Sequence, residues 1–166
     1  MRFPRCFLFA LVLAAPLALH AQREKLPPED VEVVEKQWPQ AKKTSTGLRY
    51  VILKEGLGDF AKPGDLLSVN YRGFLLDGTT FDENKDPINP FTFRLGRAQV
   101  IQGWDQGLQL LKAGGKMVLI VPSELAYGTR GRPPVIPHNA TLVFEIELID
   151  IKPESSPLPP PPDQKK

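Results

Sequence analysis

Residues 47–152 predict an α+β domain in which one short helix covers the apolar face of a sheet of about five strands. Three observations carry this. Apolar side chains alternate with period two over most of the region, and a single stretch repeats near 3.6 residues. The 18 Pro and 13 Gly among 166 residues argue against a helical bundle. In order along the chain, residues 48–54 form a strand, and residues 65–76 form a longer one with Leu67, Val69 and Tyr71 on one face. Asp77-Gly78 then supplies a turn. Residues 91–95 and 116–121 are strands, and residues 140–151 place Leu142, Phe144, Ile146 and Leu148 together on one face. The helix runs from about Ile101 to Leu111 on the spacing of Trp104, Leu108 and Leu111, until Ala113-Gly114-Gly115 ends it.

The flanks have a different character. Arg2 and Arg5 precede an apolar run over residues 6–19, and the small Ala21 marks a cleavage point, so residues 1–21 read as a secretory signal. The run is interrupted by Pro16 and falls short of the roughly 20 residues that span a bilayer, so no stable membrane insertion is expected. Residues 22–46 are a polar extension with a short helix expected over 28–37, stopped by Pro39. Residues 153–166 form a Pro-rich tail that cannot build a core and reads as a linker in preference to a docking peptide. Export places the protein in a periplasm, with the extracellular space or the endoplasmic reticulum lumen as alternatives; Asp163-Gln164-Lys165-Lys166 is not a retrieval ending.

Composition removes several functions. Twenty-one Lys and Arg against 19 Asp and Glu leave no basic excess for a phosphate backbone, so nucleic acid is not an expected partner. One Cys and two His are too few for a Cys/His metal centre, and neither metal nor cofactor is expected. The string from Gly56 to Ala61 matches G-x-G-x-x-A, but Lys62-Pro63-Gly64-Asp65 leads to another strand where a dinucleotide fingerprint must open a helix. Gly114-Gly115-Lys116 lacks the rest of a Walker loop. His138 has no G-x-S-x-G serine to accompany it and reads as a loop residue.

What remains is a set of aromatics: Tyr71, Phe81, Phe91, Phe93, Trp104, Tyr127 and Phe144. Alone, such aromatics are more often core than site. Their setting adds more. Tyr71-Arg72-Gly73-Phe74 leading to Phe81-Asp82, then Pro90-Phe91-Thr92-Phe93, then Val100-Ile101-Gln102-Gly103-Trp104, together with Ala126-Tyr127-Gly128, Ile136-Pro137 and Thr141-Leu142-Val143-Phe144, resemble the FK506-binding-protein family of peptidyl-prolyl isomerases. The resemblance covers residues 47–152.

It implies an antiparallel half-barrel of five to six strands curled around the short helix, with a pocket between the concave face and that helix. It also implies isomerisation of X–Pro bonds in folding exported polypeptides, and inhibition by FK506- or rapamycin-type macrolides. The alternative is a proline-binding or holdase chaperone module with little catalysis. By position, Trp104 would be the pocket floor, with Tyr71, Phe91, Phe93, Val100, Ile101 and Phe144 around it, and Phe81 and Ile136 completing the walls. The Ile101 N–H and the Tyr127 phenol would donate to peptide carbonyls, and Asp82 would be the single carboxylate. Two departures stand out. Pro87 occupies the position where many relatives place an Arg near this Asp, and the loop over 129–135 carries Arg130, Arg132 and Pro133-Pro134. Its charge and stiffness predict a bias toward acidic residues flanking the substrate proline. Residues 22–46 are too short for the helical arm of dimeric relatives, so a monomer is expected.

Overall fold

The two most apolar strands organise the molecule. In the computed structural model, which describes residues 24–156, Lys116–Val121 and Leu142–Lys152 pair in antiparallel register at the centre of one sheet. The expected signal and the last ten residues of the tail lie outside the described residues.

In chain order the elements are α1 (Pro28–Gln37), β1 (Lys42–Lys43), β2 (Arg49–Lys54), β3 (Leu57–Phe60), β4 (Leu66–Leu75), β5 (Thr80–Asn84), β6 (Phe91–Arg94) and α2 (Gln102–Gly107). A 3₁₀ turn (Leu108–Leu110), β7 (Lys112–Ala113), β8 (Lys116–Val121), a second 3₁₀ turn (Ser123–Leu125) and β9 (Leu142–Lys152) follow. The main sheet runs β1-β2-β8-β9-β4-β5, with β6 also on β4, and every pairing is antiparallel. The sheet is open. The α+β expectation therefore holds, with seven strands in place of five to six because the two-residue β1 and the polar edge strand β5 join it. One edge of β4 is shared: Leu66–Val69 pairs with β6 and Tyr71–Phe74 with β5.

Side chains from the two faces of β8 and β9 enter separate cores. Leu119, Val121, Leu142, Phe144, Ile146 and Leu148 point to the concave side, where they meet Trp104 and Leu108. Val118, Ile120 and Val143 point to the convex side with Val51 and Phe74. Each apolar side chain buried in this way contributes about 1.5–3 kcal/mol relative to exposure. On the convex side the cover is α1, whose Val34 is fully buried beside Leu26. Pro28 at the first helical turn, the early Glu29 and Asp30 and the late Lys36 suit the helix dipole. The extension is tied down by polar contacts: Glu24 receives Arg49 Nη2 at 2.9 Å and Lys43 Nζ at 2.8 Å, and Thr141 Oγ1 donates to Asp30 Oδ2 at 2.6 Å.

On the concave side α2 approaches β8 closely enough that only glycine fits at two positions. A Cβ at Gly103 would lie 2.4 Å from Val121 Cγ1, and one at Gly107 would lie 2.6 Å from Leu119 Cδ2. The helix is shorter than the spacing predicts. After Gly107 the chain tightens into a 3₁₀ turn, which brings the i, i+3 pair Leu108 and Leu111 onto one buried face. Ala113, expected in the helix stop, instead pairs with Leu57 in a small β3–β7 sheet. The Gly56 string thus enters a strand and not a helix. No helix among the described residues is long and apolar enough to cross a membrane.

Candidate active site

A cavity of about 250 Å³ opens on the concave face at the entry to α2. Four strands supply much of its wall. β4 contributes Tyr71, β5 contributes Phe81 and Asp82, β6 contributes Phe91, and β9 contributes Phe144. The entry to α2 adds Val100 and Ile101, and its first turn adds Trp104. Tyr127, beyond the second 3₁₀ turn, faces the same space.

The rings hold one another edge-on. Trp104 is 4% exposed and meets Tyr71 at 5.0 Å and 86° and Phe144 at 5.3 Å and 81°. Phe91 meets Tyr71 at 5.9 Å and 67°. Such contacts are favourable and keep ring faces from collapsing onto each other. Phe81 and Phe144 touch at 5.6 Å across Gly73, which is opposite both Asp82 and Phe144 in the sheet. A Cβ there would stand 2.7 Å from the Phe81 ring and 2.9 Å from that of Phe144, so Gly73 is what lets the two walls meet.

Four donors of different state face or underlie the cavity. Tyr71 donates its hydroxyl proton to Asp82 Oδ2 at 2.9 Å. Burial first, then the hydrogen bond to Asp82 and its charge, push the Tyr71 phenol above the usual tyrosine value, so it remains a donor. The Tyr127 hydroxyl and the Ile101 N–H have no hydrogen-bond partner among the described residues. Ile101 is extended at φ −61°, ψ 151° as the cap of α2, which leaves its N–H outside the helical bonding. The Trp104 Nε1 is buried and also without a partner among the described residues. Asp82 has no ion pair among the described residues; its side chain accepts the Tyr71 hydroxyl proton.

Nine of the eleven site candidates therefore converge. Phe93 and Ile136 do not line this cavity. Phe93 is 2% exposed and lies behind it, stacked on Phe91 at 5.7 Å and tilted against Trp104 at 5.8 Å. Ile136 is buried in the wall of an adjoining cavity that shares Phe81 and Asp82. Two lining residues, Gln99 and Arg132, were absent from the expected set. Gln99 had a signal in its adjacency to Val100 and Ile101, although its side-chain carbonyl also accepts the Arg94 N–H at 2.7 Å. His138 contacts the Thr129 carbonyl at 2.6 Å within the loop, as a loop residue does. A groove of similar size on the convex side is walled by charged chain ends such as Lys116 and Glu147, paired at 3.0 Å, and lacks the ring cage.

The domain is thus an open antiparallel sheet over a short helix, with an aromatic cage at the helix entry. Residues 58–149 match the family model described as FKBP-type peptidyl-prolyl cis-trans isomerase, and the chain belongs to that family. It is similar to the FKBP-type peptidyl-prolyl cis-trans isomerase FkpA of Escherichia coli strain K12, 48% identical over 112 residues that cover 68% of this chain and 40% of that protein. Human peptidyl-prolyl cis-trans isomerase FKBP2 is 53% identical over 92 residues, covering 55% of this chain and 65% of that one. The FK506-binding protein of Neisseria meningitidis serogroup A is 48% identical over 99 residues, covering 60% and 91%. The crystal structure of FkpA from Escherichia coli superposes with a TM-score of 0.68 at 44% identity, covering 76% of this chain and 59% of that one. The chain thus spans less than two thirds of the length of FkpA.

Proposed function

We propose that the protein is a peptidyl-prolyl cis-trans isomerase that accelerates X–Pro bond rotation in exported polypeptides as they fold. The observation that carries this is the ring-walled cavity with two free donors, the Tyr127 hydroxyl and the Ile101 N–H, at its rim. An X–Pro amide is held planar by resonance behind a barrier of about 18–20 kcal/mol, and rotation removes that resonance. The planar form is the more dipolar. The rings of Trp104, Tyr71, Phe91 and Phe144, by displacing water from a bound proline, would penalise it relative to the twisted form.

Donors aimed at the carbonyl of the twisted amide add stabilisation that the ground state lacks, at about tenfold in rate per 1.36 kcal/mol. In this reading the proline ring rests on Trp104, the Ile101 N–H and Tyr127 hydroxyl receive peptide carbonyls, and Asp82, held by Tyr71, is the one charge at the site. Phe93 and Ile136 brace the walls from behind. The chemistry calls for neither nucleophile nor metal.

FK506-type macrolides would occupy the same cavity. The N-terminal segment folds back on its own sheet through Leu26 and Val34, which supports a monomer. Export rests on the signal-like residues 1–21. The test is the cis-to-trans rate of short X–Pro peptides with the purified protein, with Asp82→Leu and Tyr127→Phe variants and with an FK506-type macrolide added. Catalysis that the macrolide blocks and both substitutions weaken is the expected result; macrolide binding without catalysis would make the cavity a binding surface alone.

A further inference from the structure

Past Phe81 and Asp82 the first cavity adjoins a second, of about 330 Å³, whose remaining walls are Arg132, Pro133, Pro134, Val135 and Ile136. Arg132 lines both. Its backbone is fixed from two sides: its N–H donates to the Ile136 carbonyl at 2.9 Å, and its carbonyl accepts the Ile136 N–H at 3.0 Å. Its guanidinium acts on the Tyr71 phenol through its charge. The residue is exposed, and among the described residues the guanidinium has neither an ion pair nor a hydrogen bond. A cation without an ion-pair partner, on a fixed stretch of backbone at the junction of two cavities, is what recognition of an incoming anion requires.

Resting on the isomerase reading of the first cavity, we propose that the second cavity receives the side chain of the residue preceding the proline and that Arg132 makes this subsite favour Glu or Asp. The order of groups along a peptide supplies the direction. With the ring on Trp104 and the preceding carbonyl among the rim donors, the preceding side chain leaves over Phe81 and Asp82, toward Arg132. Apolar walls from Val135, Ile136 and the two prolines suit the methylene stem of Glu, and the planar fork of Arg suits its carboxylate. Asp82 opposes an incoming anion. It is held in place by the Tyr71 hydroxyl at 2.9 Å, whereas the long side chain of Arg132 can move to meet the ligand. The balance is a preference of several-fold, as expected of an ion pair near solvent.

The experiment compares Glu-Pro with Gln-Pro peptides, which match in size and differ in charge, with Leu-Pro as reference. Both kcat/KM and binding, followed by tryptophan fluorescence, are read on the purified full chain. The Glu/Gln ratio is expected at about three to ten at low salt and should approach one near 1 M salt, where the screening length is about 3 Å. It should fall to about one in Arg132→Gln and persist in Arg130→Gln, a neighbouring exposed arginine that lines neither cavity. A native ratio near one, a ratio unchanged in Arg132→Gln, or an equal loss in Arg130→Gln would each overturn the inference while Leu-Pro turnover leaves the isomerase reading standing. Absence of turnover and binding for every peptide would remove that reading and this inference with it.

Discussion

The two faces of the β8–β9 pair carry similar apolar side chains and each lies under a helix, yet only one face holds a ring-walled cavity. On the convex face the ten-residue α1 brings Leu26 and Val34 onto Val51, Val118, Ile120 and Val143, branched aliphatics that interlock. On the concave face α2 spans six residues, roughly 9 Å of helix, and Gly103 and Gly107 seat it directly on β8. Its first turn carries Trp104 against Tyr71 of β4. The cavity at its entry is walled by flat rings in edge contact, which cannot bend to fill space as Leu or Met would. A short helix placed low and a border of aromatics are thus enough to turn one half of an ordinary core into a site.

The largest effect on this contrast should come from Trp104→Ala, which removes both the floor and a buried anchor. It is expected to cost about 3–5 kcal/mol in urea unfolding and to lower the X–Pro rate by about tenfold or more. Gly103→Ala lifts α2 off β8 and should cost about 1–3 kcal/mol. Because the clash is with the Val121 methyls, the Gly103→Ala/Val121→Ala pair should cost about 1 kcal/mol less than the sum of its parts in a double-mutant cycle. Additive costs would place the strain elsewhere.

On the convex face, Val34→Ala deletes two buried carbons and should cost about 1.6 kcal/mol, with kcat/KM on Leu-Pro within about twofold of native. A matching loss of rate would show that the two faces are coupled through the sheet. The smallest effect is one of pH. Burial pushes the Glu24 carboxyl up, but hydrogen bonds from Lys43, the Leu26 N–H, Arg49 and the Lys25 N–H outweigh it and hold it at about 2, below the ordinary 4.5. Its contribution is therefore complete above pH 4.5 and lost as pH falls through about 2. Solvent screening limits it to less than about 1 kcal/mol, and Glu24→Gln should remove that part of the acid slope in unfolding melts.

Long apolar runs were the readable part of this chain. Lys116–Val121 has the bounds that its sequence predicts because both faces are buried and nothing competes, and α1 over Pro28–Gln37 is delimited by its own prolines. β5 was not foreseen, since Thr80–Asn84 is polar and becomes a strand through the ladder that β4 offers. β3 and β7 are similar cases: Leu57–Phe60 is exposed throughout, and only the close passage of Lys112–Ala113 makes it a strand. Most of the cavity was legible because each aromatic sits in a distinctive local string. The bond from Tyr71 to Asp82 was not, because it joins residues eleven apart across two strands, and Arg132 reaches the cavity only through the hairpin closed by Ile136.

The divided edge of β4 has a further consequence for how this scaffold can grow. Residues 85–90 connect β5 to β6 beside that edge, and their turn is held by its own polar groups. The Asp86 N–H donates to Asn84 Oδ1, the N–H groups of Ile88 and Asn89 donate to Asp86 Oδ1, and Asn84 Nδ2 donates to the Asn89 carbonyl. Ile88 at the tip is 84% exposed. A second domain spliced in at this tip would break no rung of the sheet and remove no buried side chain. It would also hang next to Phe91, which lines the cavity.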